Sequence, residues 1–341
     1  MHASKLQLVL SRLVQALPSV LGIIIVTFLM TRALPGDPAV YFAGPAATEQ
    51  SIEQIRKSLG LDQGLAQQFW IYLADLARGE LGTSFSTGIP VKEELLSRLP
   101  ASLELTLLAL LLSVAVAVPL GVLAATRPDT WVDHLCRVLV TAGVSLPVFF
   151  TGLFLVYVFY YLLGVAPSPL GRLDIYYLSP PTVTGFYTFD ALIAGDFEVL
   201  RAALAQLVLP AITMGLFTLA PLARMTRGAM LQVLGSDFIR TARASGLRRS
   251  TVLFTYAFRN ALLPILTTLG MVFSFMLGSN VLVEKVFAWP GIGSYAIEAL
   301  IVSDYAAVQG FVLAMALLYV ALNLLIDILY TVVDPRVGMD A

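Results

Sequence analysis

Charged residues and histidines are scarce in this sequence. Asp, Glu, Lys and Arg make up 13% of its 341 residues and hydrophobic residues 58%, whereas a typical soluble domain carries roughly 25% charged residues. The two histidines, His2 and His134, are far apart along the chain, so neither a His-Glu-x-x-His zinc site nor a Ser-His-Asp triad is readily built from them. The net charge of −1 argues against a nucleic-acid-binding protein. Composition therefore predicts a membrane protein that crosses the bilayer several times and has no catalytic residues.

Two further absences limit the chemistry of the chain. With one cysteine, Cys136, no internal disulfide can form, and such a residue is more often a small buried hydrophobic side chain than a reactive thiol. No Gly-x-x-x-x-Gly-Lys-Ser/Thr sequence is present, so the chain has no phosphate-cradling loop for ATP. We expect no metal or cofactor bound by this chain, and any energy from ATP has to come from another chain.

Six apolar stretches are long enough to cross a bilayer as helices, which takes roughly 20 residues. The first is longer than the apolar core of a signal peptide, about 7–15 residues, so we interpret it as an uncleaved span. Pro147 in the third stretch and Pro210 and Pro221 in the fourth predict kinked helices, whose freed carbonyls need neighbouring helices or a water-lined cavity. The predicted fold is an all-α membrane protein with six transmembrane helices, over residues 13–30, 103–125, 135–163, 207–225, 261–283 and 311–333.

The predicted spans divide the chain into four parts. Residues 1–34 form an N-terminal segment with the first span, residues 35–100 a large loop, residues 101–336 the other five spans, and residues 337–341 a short tail. Within the large loop, apolar residues recur at helical spacing over residues 52–59 and 65–76. This pattern predicts two short amphipathic helices that pack against each other and against the ends of the spans.

Basic residues are concentrated on one side of the predicted spans. Residues 224–259 carry seven arginines and the 126–137 turn adds two, with Lys5 and Arg12 near the N-terminus, whereas the opposite loops carry fewer. Short cytoplasmic loops carry the excess of Lys and Arg in membrane proteins. We therefore predict that both termini and the 227–260 loop are cytoplasmic and that the 35–100 loop lies on the opposite side.

The arginine-rich loop contains a segment with the features of a short docking helix. Ser236 or Asp237 can cap its start, because a short oxygen side chain accepts the free amide hydrogens there, and Gly246 can supply a left-handed stop. Small residues on such a helix let another surface come close, and arginines beside them can reach carboxylates on that surface. The alternative is an ordinary loop whose arginines only set the orientation in the membrane. Viewed along the helix the residues form three arcs: Phe238, Ile239 and Ala242; Arg240 and Arg243; and Thr241, Ala244 and Ser245.

The same region resembles a known family. Phe-Ile-Arg-Thr-Ala-Arg-Ala-x-Gly-Leu at residues 238–247 and Arg-Asn-Ala-Leu-Leu-Pro at residues 259–264 resemble the dipeptide, oligopeptide and nickel branch of the permease subunits of ATP-binding-cassette (ABC) importers. The general family has Glu-Ala-Ala where this chain has Arg240-Thr241-Ala242, and Leu-Pro where it has Phe258-Arg259. Both differences fit the peptide branch. The resemblance runs from Pro35 to Arg336 and includes the motifs at residues 287–293, 304–310 and 334–336.

This resemblance implies a membrane-spanning subunit with the type I ABC importer fold, most similar to the B-type permease of a dipeptide importer in a bacterial inner membrane. The implied partners are a second, homologous permease in a heterodimer, two ATPase subunits that bind ATP and Mg, a periplasmic substrate-binding protein, and the lipid bilayer. Substrate would cross by alternating access. The coupling helix, which sits in a groove of an ATPase subunit, would be formed by Arg240, Thr241, Ala242, Arg243, Ala244, Ser245, Gly246 and Leu247.

Four polar residues lie within or near the last two predicted spans, in pairs four residues apart: Asn280 with Glu284, and Asn323 with Asp327. A charge at mid-bilayer costs at least about 2.5 kcal/mol, so such residues usually face a cavity or a partner helix. They are candidates for the translocation path or for helix pairing. We favour helix pairing, because Glu284 and Asp327 lie toward the ends of their spans, where water is close.

The Trp289-Pro290-Gly291 turn follows the fifth predicted span. Aromatic side chains favour the membrane–water interface, because an apolar ring with a polar edge suits it. The sequence therefore predicts Trp289 at the outer interface, where it anchors a short helix that narrows the external mouth.

Other functions stay open at this point. The same machine could import a nickel chelate, glutathione or a small oligosaccharide, since selectivity in such systems rests largely with the binding protein. A passive channel lined by the fourth and fifth spans is an alternative of a different class, although a channel has no need for a coupling loop. An intramembrane enzyme is disfavoured by the missing set of reactive groups.

Overall fold

The computed structural model describes residues 2–33, 38–44, 47–58, 60–143 and 145–333. Apart from an isolated bridge between Thr83 and Pro90, these residues form helices, turns and loops, so the predicted all-α fold is confirmed. Pro35 at the start of the resemblance, the motif at residues 334–336 and the tail at residues 337–341 lie outside the described residues.

The helices of the described part follow one another through short connections, and two of them adjoin π-helical segments. In chain order they are α1 (His2–Ala33), α2 (Pro38–Ala43), α3 (Glu49–Ser58), α4 (Leu65–Ala77), α5 (Val91–Thr126), α6 (Trp131–Gly143), α7 (Val148–Leu155) with a π-helix (Val156–Leu162), α8 (Tyr187–Ala194), α9 (Phe197–Leu234), α10 (Asp237–Ala244), a π-helix (Thr251–Phe258) with α11 (Arg259–Val286), α12 (Ile292–Ile301) and α13 (Tyr305–Val333).

Five of these helices are long and apolar enough to cross a membrane: α1, α5, α9, α11 with the π-helix before it, and α13. The third predicted span differs from its prediction. Instead of one kinked helix over residues 135–163, the structure has α6 and α7 bent by 94°, which make a sixth span only if counted together. Pro147 occupies the position just before α7, and because proline has no amide hydrogen it cannot continue the hydrogen bonding of α6.

The membrane helices extend beyond the apolar stretches that predicted them. Helix α5 begins at Val91, twelve residues before the predicted start at Leu103, and α9 continues to Leu234, nine residues past Met225. Hydropathy marks only the segment in contact with lipid or core, while the backbone hydrogen bonds of a helix continue into the polar region. The boundary predicted at residue 101 therefore falls inside α5.

Helices α5 and α9 form the central pair of the bundle, and glycines bring them together. A Cβ atom on Gly121 of α5 would lie 2.8 Å from the carbonyl oxygen of Ala223 in α9, and one on Gly215 would lie 3.3 Å from the carbonyl oxygen of Ala109. Small residues allow such close approach in membranes, where packing replaces the hydrophobic effect as the force between helices. Helix α11 packs against α9 and also contacts α5.

The two amphipathic helices predicted in the large loop are present as α3 and α4. Phe69 and Tyr72 of α4 pack on Phe28 of α1, with ring centroids 5.2 Å and 5.8 Å apart. Arg32 of α1 donates from Nε to Oε1 of Gln68 at 2.9 Å. The loop is thus attached to one end of the first span.

Candidate functional site

Helix α10 lies in the arginine-rich loop and is anchored by two buried residues. Ile239 is fully buried and Ala242 is 8% exposed, and both belong to the apolar cluster that α9 and α11 share. Gly246 has φ +75° and its amide donates to the Arg243 carbonyl at 3.1 Å, while the Leu247 amide donates to the Ala242 carbonyl at 3.4 Å. This pair of bonds closes a helix through a left-handed residue, so the predicted glycine stop is confirmed.

The start of α10 differs from the prediction. Ser236 occupies the capping position, but its hydroxyl donates to the Val233 carbonyl at 2.6 Å and accepts no hydrogen bond from the amides of α10. Ser236 is therefore bonded to the end of α9, where it fixes the turn between the two helices.

The other faces of α10 are exposed. Thr241, Ala244 and Ser245 form one exposed arc, and the side chains of Arg240 and Asp237 are paired at 3.2 Å while 77% and 93% exposed. The sequence grouped Phe238 with the buried residues, but Phe238 is 46% exposed. The helix therefore presents small residues, arginines and one aromatic ring outward. A partner surface with carboxylates for the arginines and an apolar pocket for the ring could bind there.

A buried polar cluster lies at the opposite end of α11. Glu284 has no exposed surface; its Oε1 accepts from Ser102 Oγ at 2.5 Å and its Oε2 from the Ser294 amide at 2.7 Å. Ser102 Oγ in turn accepts from the Ile292 amide at 2.9 Å. One carboxylate thus joins α5, α11 and the start of α12.

Asn280 also contacts α5, through Nδ2 at 3.4 Å from Thr106 Oγ1 and 3.5 Å from the Ser102 carbonyl. Asn280 and Glu284 therefore both bond to the facing helix, an arrangement that favours helix pairing for these two. The residues of the second pair lie on α13, where Asn323 is exposed and Asp327 partly buried.

The Trp289-Pro290-Gly291 turn packs against the same cluster. Trp289 is 1% exposed, and its indole nitrogen donates to the Ala101 carbonyl of α5 at 2.9 Å. The ring therefore packs against α5 inside the protein, while Pro290 is the exposed residue of the turn. A Cβ atom on Gly291 would overlap the Glu284 carboxylate and Ser102 Oγ, so this position requires glycine.

Sequence reasoning missed a buried ion pair next to this cluster. Arg172, in the loop between α7 and α8, donates to Glu104 of α5 at 2.6 Å, and both side chains are about 6% exposed or less. Glu104 also accepts from the amide and hydroxyl of Thr188 at 2.8 Å and 2.6 Å. The arginine lies 3.5 Å from the centre of the Tyr187 ring. Two features of the sequence could have indicated this pair: Glu104 lies inside an apolar stretch, and Arg172 is one of few basic residues in an acidic loop.

The end of the same loop is hydrogen-bonded to Asp190 of α8, which is buried. Burial, the largest single effect, raises the pKa of Asp190, but hydrogen bonds from Thr184, Val183 and Gly185 outweigh it and hold the pKa below its ordinary value of 3.8. The carboxylate is therefore charged at neutral pH and fixes the fold of the loop next to Arg172.

Two other carboxylates tie distant segments together. Asp133 of α6 accepts two hydrogen bonds from Arg227 of α9, at 2.8 Å and 2.7 Å. Asp304, just before α13, accepts from the hydroxyls of Ser84 and Ser86 at 2.7 Å and 3.2 Å. Each of these bonds connects residues far apart in sequence, which is why no local pattern predicted them.

Comparison with known proteins gives two family matches that together cover most of the chain. Residues 117–339 match the family described as "Binding-protein-dependent transport system inner membrane component". Residues 5–106 match a second family, described as the N-terminal part of the membrane component of a binding-protein-dependent transport system.

Individual relatives match along nearly their whole length. The chain is 46% identical to the "Probable D,D-dipeptide transport system permease protein DdpB" of Escherichia coli, over 94% of each chain. It is 39% identical to the dipeptide transport system permease protein DppB of Escherichia coli, over 97% of this chain and 98% of that one. It is 38% identical to the protein of the same name from Alkalihalophilus pseudofirmus, over 96% and 97%.

Proposed function

Because this chain belongs to the family of binding-protein-dependent transport system inner membrane components, we propose that it is the permease subunit of an ABC importer for dipeptides and short oligopeptides. The peptide substrate is supported by the relatives, which are named for dipeptide or D,D-dipeptide transport and match more than nine tenths of this chain. A transport component of this kind carries no catalytic residues of its own. ATP and Mg belong to partner chains.

The proposed assembly contains a second, homologous permease in a heterodimer, two ATPase subunits and a substrate-binding protein. We place it in the bacterial inner membrane with both termini and α10 in the cytoplasm, since the arginine-rich loop favours that side. The 35–100 loop and the α7–α8 loop then face the periplasm, where the binding protein delivers its ligand.

The exposed face of α10 is the observation that carries this proposal. A helix fixed by Ile239 and Ala242, ended by Gly246 and exposing Thr241, Ala244 and Ser245 has the shape of a rigid docking element. We assign residues 240–247 to contact with the ATPase.

The continuous helix after this element supports a mechanism of alternating access. The π-helix and α11 run from Thr251 to Val286, about 54 Å at 1.5 Å per residue, from the docking element to the cluster around Glu284. ATP-driven closure of the ATPase pair would move α10 and, through α11, shift the outer turn. ATP can shift the equilibrium between the two conformations only to the extent that it binds one of them more tightly than the other.

One face of α11 is a candidate for the substrate path. Asn260, Thr267, Met271 and Gly278 are exposed and share one stripe of the helix. In the middle of α5, the exposed large side chains are aliphatic, Leu107, Leu111 and Val116 among them, as suits a lipid-facing surface. We propose that the α11 stripe faces the partner permease and the path between the two.

The proposal is tested by reconstituting the complete complex in vesicles with its binding protein. A dipeptide-loaded binding protein should stimulate ATP hydrolysis and drive uptake of labelled dipeptide, whereas a binding protein loaded with a nickel chelate, glutathione or an oligosaccharide should not. Stimulation only by one of the latter ligands would remove the peptide assignment but keep the importer. Uptake of peptide without ATP would contradict the importer itself.

A further inference from the structure

A cleft of about 260 Å³ lies between the ends of α5, α6 and α9, on the α10 side of the bundle. Its floor is apolar and its rim carries three arginines. Gly121 lets α5 and α9 touch there, which leaves the space open toward α6. The lining residues are Leu120, Gly121, Ala124, Cys136, Arg137, Val140, Thr141, Ala223, Arg224 and Arg227.

The positive charge of this rim is only partly balanced. Asp133, fully buried behind the cleft, binds Arg227 through Nε and Nη2 and lies 3.6 Å from Arg137. Arg224 is exposed and has no carboxylate within ion-pair distance in the part of the chain that the structure describes. Three guanidinium groups thus face the buried Asp133, with Asp129 as a second acid near Arg227, and none of the lining residues is acidic.

The cleft also lies where the apolar helices give way to polar segments, and we assign this level to the lipid head groups. Leu120 and Ala124 belong to the last two turns of α5, which ends at Thr126. Arg224 and Arg227 lie where the apolar part of α9 gives way to the charged loop, and Arg137 lines the cleft from α6. An occupant therefore meets aliphatic side chains on the bilayer side and guanidinium groups on the water side.

We propose that this cleft binds an anionic phospholipid, with its phosphate on Arg137 and Arg224 and the first carbons of an acyl chain on the apolar floor. Guanidinium groups form paired, charge-assisted hydrogen bonds with phosphate oxygens. Basic pockets between transmembrane helices on the cytoplasmic side suit anionic head groups. Arg227 is held in place by Asp133 and supplies the back of the head-group site.

Thr141 provides the reporter position, since it lines the cleft and is exposed, whereas Cys136 is only 6% exposed. The complete complex carrying Thr141→Cys in a Cys136→Ser background is purified in detergent, stripped of lipid and supplied with phosphatidylglycerol, phosphatidylcholine or inorganic phosphate. The rate of alkylation at position 141 is then followed by peptide mass spectrometry. Phosphatidylglycerol should slow the reaction at concentrations where phosphatidylcholine has no effect.

The double variant Arg137→Gln/Arg224→Gln should weaken protection by phosphatidylglycerol about 30-fold, since each arginine near an anionic lipid surface contributes about fivefold. Arg248→Gln/Arg249→Gln removes the same charge from exposed positions outside the cleft and should leave protection unchanged. If the double variant does not assemble, Arg224→Gln alone should weaken protection about fivefold.

Equal protection by phosphatidylcholine, or by inorganic phosphate alone, would overturn the assignment of an anionic lipid. The same holds if Arg224→Gln and the double variant bind phosphatidylglycerol as the unmodified complex does. The test measures binding without uptake, so its failure would leave the proposed transport function untouched.

Discussion

At the scale of single residues, the buried polar cluster around Glu284 is packed so closely that an added side-chain atom has no space. Glu284 uses both oxygens for bonds to Ser102 and to the Ser294 amide, and Gly291 lies directly against it. A buried carboxylate is tolerated when its oxygens accept hydrogen bonds, whereas the same group without partners lowers the stability of the fold. The sequence identified Glu284 and Gly291 as special but not that they touch.

Gly291→Ala should therefore destabilise the complex. The added methyl group overlaps Glu284 and Ser102 Oγ, and overpacking of this kind typically costs about 1–3 kcal/mol. The measurement is thermal unfolding of the purified complex. Gly228→Ala is the matched control, because a Cβ atom there meets nothing within 4 Å. Equal melting temperatures for both variants would show that the cluster accommodates the added methyl group without loss of stability.

At the scale of helices, the sequence predicted which helices exist better than where they end or what they pack against. Apolar stretches located the membrane helices, and the period of 3.6 located α3 and α4, because both signals are local. The ends of α5 and α9 were missed because their polar turns continue the helix beyond the apolar stretch that hydropathy detects. The burial of Trp289 was missed, since the Ala101 carbonyl that accepts its indole hydrogen bond is 188 residues away. Pro147 predicted a kink, but the bend of 94° depends on how α7 packs against α9 and α11.

The loop between α7 and α8 is held to α5 by the Glu104–Arg172 pair. Arg172→Ala leaves the Glu104 carboxylate buried without its counter-charge, and breaking such a pair typically costs about 3–5 kcal/mol. We expect a lower melting temperature of the complex and faster proteolysis of the loop.

The exposed Lys285–Glu298 pair serves as the comparison, at 2.7 Å with side chains 38% and 56% exposed. Lys285→Ala should cost no more than about 1 kcal/mol, as exposed pairs do. If the two variants melted alike, the pair between loop and α5 would have no special role.

At the scale of the whole molecule, the chain has α10, the helix that we propose for docking, at one end and a buried polar cluster at the other, joined by the helix from Thr251 to Val286. The first is built from exposed small residues and arginines, the second from carboxylates whose partners come from distant segments. Sequence reasoning located α10 and its glycine stop because their features are contiguous. It could not assemble the cluster, because Ser102, Glu284 and Ser294 meet only after α5 and α11 have packed.

The proposed orientation is tested with single cysteines in a Cys136→Ser background. Cysteines at Gln50 and Thr182, both exposed in the two outer loops, should react with a membrane-impermeant thiol reagent in sealed right-side-out vesicles. A cysteine at exposed Ser250, near α10, should react only after the vesicles are opened. Labelling of the Ser250 site in sealed vesicles would reverse the assignment.

The central claim, that α10 transmits the action of the ATPase to the spans, is tested most directly by Ala244→Glu. Its side chain would fill a close contact and place a carboxylate in the docking surface. Gly246→Val forms a second variant, since a β-branched residue is strained at φ +75°. The measurement is binding-protein-stimulated ATP hydrolysis by the assembled, reconstituted complex, with Ser250→Glu as the charge-matched control. Coupling between distant sites is typically about 1–3 kcal/mol, so losing this contact should abolish stimulation while membrane insertion stays normal. Full stimulation in both variants would contradict the claim and leave the loop as a cluster of arginines that only orients the chain.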